Sequence, residues 1–319
     1  MTKHFRAPLA GLAAVAIAAW LPMPAAAFPD QPVNYIIPFD PGGESDISAR
    51  FQQPHFAEIT GQDLIIQYLP GAGGASAWSG LNDYEGDGYT IMGTNLPHIV
   101  LQPLLQDPGY DTDDIVNVYI FHFTPDALIV RADSPYETLE DFIEAANEAP
   151  GALTASGSGT NSANDVANQL FENETGAVVT YIPYSGTAPS VTALLGGETD
   201  AAWGYTTVAA AQGDQVRTLA VAMEERHPNF PDVPTFRELG YDIVGGAYRG
   251  IAVPDGTPEE RRQELSDIIA EINANPDFIA QMEEAGFAMI DVPYAEAADW
   301  MDERKAFYAE IAEQLAAGR

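Results

Sequence analysis

The chain has 319 residues, with 47 acidic against 13 basic side chains, a formal net charge of −34 and no cysteine. Such a charge works against nucleic acid or an anionic lipid surface as partner, since both need lysine and arginine at their phosphates. The missing cysteine excludes disulfides, thiolate nucleophiles, cysteine-ligated metals and a lipid-modified cysteine anchor. A hydrophobic fraction of 46% is ample for packed cores, and the length suits one large domain or two moderate ones. The acidic residues are dispersed rather than blocked, which reads as a solvated surface rather than an interaction tail.

In chain order, Lys3 and Arg6 precede an apolar run from Ala7 to Leu21, and small residues at Ala25 and Ala27 stand just before Phe28. This is the pattern of a cleaved export signal over 1–27, because the run, about 15 residues, falls short of the ~20 a membrane-spanning helix needs. The expectation is a soluble periplasmic chain beginning near Phe28.

Short β-rich runs then alternate with helix-compatible segments: Val33 to Phe39, Leu64 to Tyr68, Tyr89 to Thr94 and Asn117 to Phe123. A second block repeats the pattern at Leu153 to Ser156, Val178 to Tyr184, Asp200 to Tyr205 and Val216 to Ala222, with helices at Asn164 to Glu174 and Ala188 to Leu195. Alternation of this kind predicts parallel α/β sheets, here two. Ala127 to Arg131 and Gly250 to Pro254 read as strands crossing between lobes. The predicted organisation is a first lobe over 28–130, a second over 131–250 and a return to the first over 251–319. Toward the C-terminus, Thr257, Pro258 and Glu260 predict a capped helix reaching Asn273, and Asn275 and Pro276 begin a shorter one. Apolar residues from Tyr294 to Leu315 recur at helical spacing and read as core.

Three strand-to-helix junctions carry chemistry. In PFDPGGESD (38–46), Gly42 and Gly43 permit a tight turn that exposes amide N–H groups at a helix start, where the dipole favours an anion. In ASGSGTNSAND (155–165), Gly157 and Gly159 free the backbone while Thr160, Asn161 and Ser162 offer short polar groups, as helix caps or as ligand contacts. In PYSGTAPS (183–190), Ser185, Gly186 and Thr187 offer the same alternatives. Two Gly-rich loops, one per lobe at strand C-termini, lie where open α/β sheets bind ligands. The GAGG run at 71–74 reads as a site of close helix packing. Enzyme signatures are lacking: Lys305 is far from any glycine-rich loop, GSGTNS lacks the third glycine of a dinucleotide fingerprint, and there is no G-x-S-x-G elbow. His55, His98, His122 and His227 lack paired zinc spacing, and Asp111, Asp113 and Asp114 do not follow the calcium-loop pattern.

From about Val33 to Gly318 the sequence resembles the substrate-binding proteins of tripartite tricarboxylate transporters, the Bug proteins. The landmarks are PFDPGGESDISAR (38–50), PGAGG (70–74), DGYT (87–90), GSGTNSAND (157–165), PYSGTAPS (183–190), LLGGETDAAW (194–203), PDVPTFRELG (231–240) and RGIAVPDGTP (249–258). The resemblance implies an α/β, two-lobed periplasmic binding fold, type II-like, with a small organic carboxylate in the interlobe cleft. It implies large and small integral membrane subunits as partners, no cofactor, no metal and no catalysis. Carried over, the ligand-binding positions are Phe39, Gly42, Gly43, Asp46, Gly159, Thr160, Asn161, Ser162, Ser185 and Gly186. The chain departs from the family where histidine is common (Asp165), where an Asn-Arg pair is common (Tyr68, Leu69) and where a tryptophan is common (Tyr248). Arg249 reads either as a hinge residue or as a direct carboxylate partner, its fork suiting two oxygens. Two other readings are an exported enzyme using Asp46 or Asp165 as base and a sensory binding subunit.

Overall fold

The structure, a computed structural model, describes Met1 and residues 28–317. Residues 2–27 of the export signal expected over 1–27 lie outside the described residues. Among the described residues no helix is long and apolar enough to cross a membrane.

The elements follow in chain order as β1 Val33–Ile37, α1 Glu44–Thr60, β2 Leu64–Tyr68, α2 Ala75–Trp78, β3 Thr90–Leu96, α3 His98–Leu105, β4 Val116–Arg131, α4 Leu139–Glu148, β5 Thr154–Gly157, α5 Ala163–Thr175, β6 Thr180–Pro183, α6 Thr187–Gly196, β7 Ala201–Tyr205, α7 Thr206–Gln212, β8 Val216–Val221, β9 Gly246–Val253, α8 Glu259–Asn273, α9 Pro276–Glu284, β10 Ala288–Pro293 and α10 Tyr294–Ala317. The strands run in the order β2-β1-β3-β9-β4-β7-β5-β6, with β10 and β8 also on β4. β1 pairs in parallel with β2 and β3, and β5 with β6 and β7, so each lobe is built on a parallel α/β unit. β1 and β3 are almost wholly buried, whereas the edge strand β2 leaves Ile65 and Gln67 exposed.

β4 joins the two units. Sequence patterning reads Asn117 to Phe123 and Ala127 to Arg131 as two separate strands. The strand is instead continuous: Val116 to Pro125 pair with β9, and from Asp126 to Val130 the same strand pairs with β7. Pro125 sits where one partner gives way to the other, so its missing N–H falls at the change of ladder. β9 lies antiparallel between β3 and β4, which brings the chain back onto the first unit before α8, α9 and α10 pack there.

Each lobe has its own core. Ile36, Ile91, Val118, Ile251, Ile269 and Phe278 fill the first, and Leu128, Phe142, Phe171, Trp203, Leu219 and Phe236 the second. Full burial of each such side chain contributes about 1.5–3 kcal/mol. The C-terminal helix starts differ in part from expectation. Asn275 caps α9, accepting from the Asp277 and Phe278 amides, but Thr257 does not cap α8: Pro258 occupies the cap position and the Thr257 hydroxyl is buried without a partner.

Candidate functional site

The first loop, after β1, is held by its own helix. Gly42 has φ +84, a left-handed conformation natural to glycine, and its N–H donates to the Asp46 carboxylate at 2.7 Å. Asp46 also accepts from the Tyr68 hydroxyl at 2.6 Å and pairs with Arg50 at 2.8 Å. Asp46 therefore braces the loop from beneath. The cap position of α1 is Gly43, which has no side chain to accept the first-turn N–H groups. Those groups, with the positive end of the helix dipole, are left for something else to satisfy.

The second lobe repeats the brace. Asn161, φ +55, donates its N–H to the Asp165 carboxylate at 2.7 Å, and Gln169 donates to the other Asp165 oxygen at 3.0 Å. Here, however, the helix is capped, since the Ser162 hydroxyl accepts from the Asp165 amide at 3.3 Å. The start of α6 in this lobe is uncapped, since Gly186 holds the cap position and makes no side-chain cap. Of the two polar loops in the second lobe, the one less rich in glycine thus leaves its helix N-terminus free.

These loops meet across the cleft. A Cβ placed on Gly42 would lie 3.6 Å from Ala188 Cβ, and one on Gly186 3.5 Å from Phe39 Cβ. The Ser185 hydroxyl donates to the Asp40 carboxylate. Gly159 and Thr160 abut Gly73 of the first lobe, where a Cβ on Gly159 would lie 3.1 Å from Gly73 Cα. The GAGG run thus serves lobe-to-lobe approach at Gly73, and helix packing at Gly71 and Gly74, where a Cβ would run into Ser76 and the Trp78 ring of α2.

A cavity of only about 10 Å³, room for about one water, lies between them. Phe39, Gly43 and Arg249 line it, together with Asp40, Glu44, Ser45, Asn95, His98, Ser158 and Thr187. The α1 and α6 N-termini reach it from opposite lobes through Gly43 and Thr187. Arg249 Nη2 donates to Glu44 Oε2 at 2.6 Å, and the Thr207 hydroxyl donates to the other Glu44 oxygen. Burial pushes the Glu44 carboxyl up, while Arg249 and the Thr207 and Thr124 hydroxyls pull it back down. Asn95, with its amide turned to accept from Arg249 Nε at 2.8 Å, completes one side of the guanidinium. Arg249 Nη1 and both ring nitrogens of His98 are buried and have no hydrogen-bond partner. Burial, with the nearby Arg249 charge, pushes His98 down to about 3, so the imidazole is neutral.

Of the residues singled out from sequence, Phe39, Gly43, Thr187 and Arg249 line this cavity, and Gly42, Ser185 and Gly186 form the interlobe contact beside it. Asp46, Asn161 and Ser162 shape the two loops, and Gly159 and Thr160 close the lobes on Gly73. Sequence reasoning passed over Asp40, Glu44, Asn95, His98 and Ser158. Ser158 sits inside the glycine-rich run at 157–159, whereas Asn95 lies at the end of β3 and His98 opens α3 with no glycine between them.

A family model described as the tripartite tricarboxylate transporter family receptor matches residues 48–315. The chain belongs to this family. Among its relatives, a UPF0065 protein from the gbd 5′ region of Cupriavidus necator is 30% identical, with 97% of each chain covered. The solved structure of the periplasmic binding protein BugD matches with a TM-score of 0.86 at 25% identity, covering 91% of this chain and 99% of that one. MatC from Rhodopseudomonas palustris, with bound malate, matches with a TM-score of 0.83 at 25% identity, covering 89% of this chain and all of that one, 100%. The family's fold is thus the two-lobed α/β periplasmic binding fold described above.

Proposed function

We propose that the chain captures a small organic carboxylate in the interlobe cleft, in the periplasm, and delivers it to large and small integral membrane subunits of a tripartite transporter. The observation that carries this reading is the meeting of two uncapped helix N-termini, α1 through Gly43 and α6 through Thr187, at one cavity fed from both lobes. Free N–H groups and two positive dipole ends favour a carboxylate. The malate held by the related MatC supports the same ligand chemistry. The proposed ligand contacts are Phe39, Gly42, Gly43, Ser185 and Gly186, with Asp46, Asn161 and Ser162 holding the loops in place and Gly159 and Thr160 closing the cleft. The lobes are taken as 28–130 with 251–319, and 131–250, hinged where β4 changes partner at Pro125 and Asp126. Capture without turnover is the simpler reading, because Asp46 and Asp165, the bases an enzyme would need, are turned to backbone amides and neighbouring side chains.

A thermal-shift screen of the purified protein against small organic acids tests the proposal. A ligand at a hundred times its Kd stabilises the folded state by about 2.7 kcal/mol, a readily measured rise in Tm. No shift with any acid at near-millimolar concentration would sink the carboxylate reading.

A further inference from the structure

Tyr248 and Arg249 are neighbours on β9, and successive residues of a strand face opposite ways. Arg249 faces the interlobe cavity, whereas Tyr248, packed on Phe123 of β4 at 4.6 Å, faces a second cavity on the far side of these strands. This one is larger, about 190 Å³, and both lobes wall it. Val166 and Leu170 come from α5 of the second lobe, Phe307 and Ile311 from α10 of the first, and Ile243 and Val244 from the segment that leads into β9. A dry cavity of about 150 Å³ with such walls takes up benzene, so this volume admits one ring with a small head group.

Three polar groups stand in these apolar walls, and none has its hydrogen bonds complete. Arg304 Nε is buried without a partner, and the guanidinium lies over the Trp300 and Phe307 rings at 5.5 and 5.6 Å. Every other arginine among the described residues pairs with a carboxylate or a backbone carbonyl, and Arg304 has neither. The Tyr308 hydroxyl makes no hydrogen bond among the described residues, and Asp126 uses one carboxyl oxygen only, accepting from Asn164 at 2.8 Å. Burial first, and Glu44 after it, push the Asp126 carboxyl up to about 8, so at neutral pH it carries a proton and can donate. An arginine, a phenol and a protonated carboxyl are all donors. What the walls lack is an acceptor, and beside the unpaired guanidinium a negatively charged one.

We infer that this cavity is a second ligand site, for a small apolar anion: a single ring or branched chain held between α5 and α10, with one acidic head on Arg304, the Tyr308 hydroxyl and the Asp126 carboxyl. Hydrocarbon walls with a few convergent polar groups are the ordinary make-up of a small-molecule site. The inference stands apart from the carboxylate-capture reading, because the two cavities share no lining residue.

Titration of the methyl-labelled protein with benzoate, followed by NMR, tests the site. The expected result is saturable shifts of the Val166, Leu170, Ile243 and Ile311 methyls with a Kd of about 1 mM or tighter. Arg304→Gln weakens that binding by about tenfold, and Val244→Trp, which fills the cavity, abolishes it. Toluene, the same ring without the charge, binds more weakly than benzoate by about tenfold or more. Shifts confined to the Thr187 and Ala188 methyls would put benzoate in the interlobe cleft and overturn the second site while leaving carboxylate capture standing. An absence of shifts at the four cavity methyls overturns the second site in the same way. Toluene binding as tightly as benzoate, with Arg304→Gln without effect, would overturn the anionic head. Should Val244→Trp not fold, the methyl shifts of the unaltered protein and of Arg304→Gln still decide.

Discussion

Arg249 and Glu44, 205 residues apart in the sequence, form an ion pair of 2.6 Å between side chains that are 5% and 2% exposed. The pair joins β9, the strand that returns the chain to its first lobe, to the first turn of α1, while Thr207 reaches Glu44 from α7. Removing one partner of a buried pair strands the other charge out of water. We predict that Glu44→Gln destabilises the fold by about 3–5 kcal/mol, and that Glu44→Gln combined with Arg249→Met recovers most of the loss. Urea unfolding checks both; a loss below about 1 kcal/mol in the single variant would contradict the account.

Asp126, at the point where β4 changes partner, gives the fold a pH dependence. Burial is the main cause pushing its carboxyl up to about 8; Glu44 adds to this, and Asn164 and Arg249 oppose it. Between its ordinary value near 4 and about 8 the folded chain keeps a proton that the unfolded chain releases. Its contribution to stability is therefore fully present at low pH and falls as pH rises, by up to about 1.4 kcal/mol per unit. His98 and His122, pushed down by burial, act oppositely: they cost stability as pH falls below about 6.5. Toward pH 8 the histidine contribution fades, leaving Asp126 and the Glu44 carboxyl, which burial also raises. Asp126→Asn should flatten the decline in urea-unfolding stability there, and an unchanged slope would show that the carboxyl is ionised in the fold.

The parallel units were legible because their strands are short apolar runs set off by glycine-rich junctions: β2 falls on Leu64 to Tyr68 as patterned, and α5 on 163–175 against an expected 164–174. The continuity of β4 was not, since Pro125 looks like a break until the strand is seen to exchange one partner for another at that point. β10 escaped because Ala288 to Pro293 is only partly buried and takes its strand form from β4 rather than from its own residues. Within the site, glycine marked the loops that turn, but the cavity walls come from Asp40, Glu44, Asn95 and His98. Those are ordinary polar residues locally, and Glu44 becomes a site residue only through a partner on β9.

The two lobes share a device that local sequence does show. Asp46 and Asp165 each stand in the first turn of a helix and each accept, at 2.7 Å, the N–H of the residue four positions earlier. Asp46→Ala should cost about 1.5–3 kcal/mol, the value of a hydrogen bond to a charged group, and should speed amide exchange at Gly42. Asp165→Ala should do the same at Asn161. Amide exchange followed by NMR reads each loop separately, and unaltered protection at Gly42 or Asn161 would remove the brace from the account.

Lobe closure should depend on Gly159 far more than on Gly43, although both sit in glycine-marked loops. Gly159 has φ +141, and a Cβ there would come 3.1 Å from Gly73 Cα, backbone of the opposite lobe, which cannot move aside without parting the lobes. Gly43 has φ −84, and its nearest neighbour would be 3.6 Å from a Cβ, ordinary contact. Gly159→Ala is therefore expected to hold the lobes apart, raising the radius of gyration measured by solution scattering and weakening ligand binding by tenfold or more, about 1.4 kcal/mol. Gly43→Ala should stay within threefold of the unaltered protein. Gly43→Ala should leave the melting temperature nearly unchanged, whereas Gly159→Ala should also lower it through backbone strain at φ +141. Equal losses of affinity in the two would mean that the loops act on the ligand by local conformation alone, and that the contact between Gly73 and Gly159 does not set how far the cleft closes.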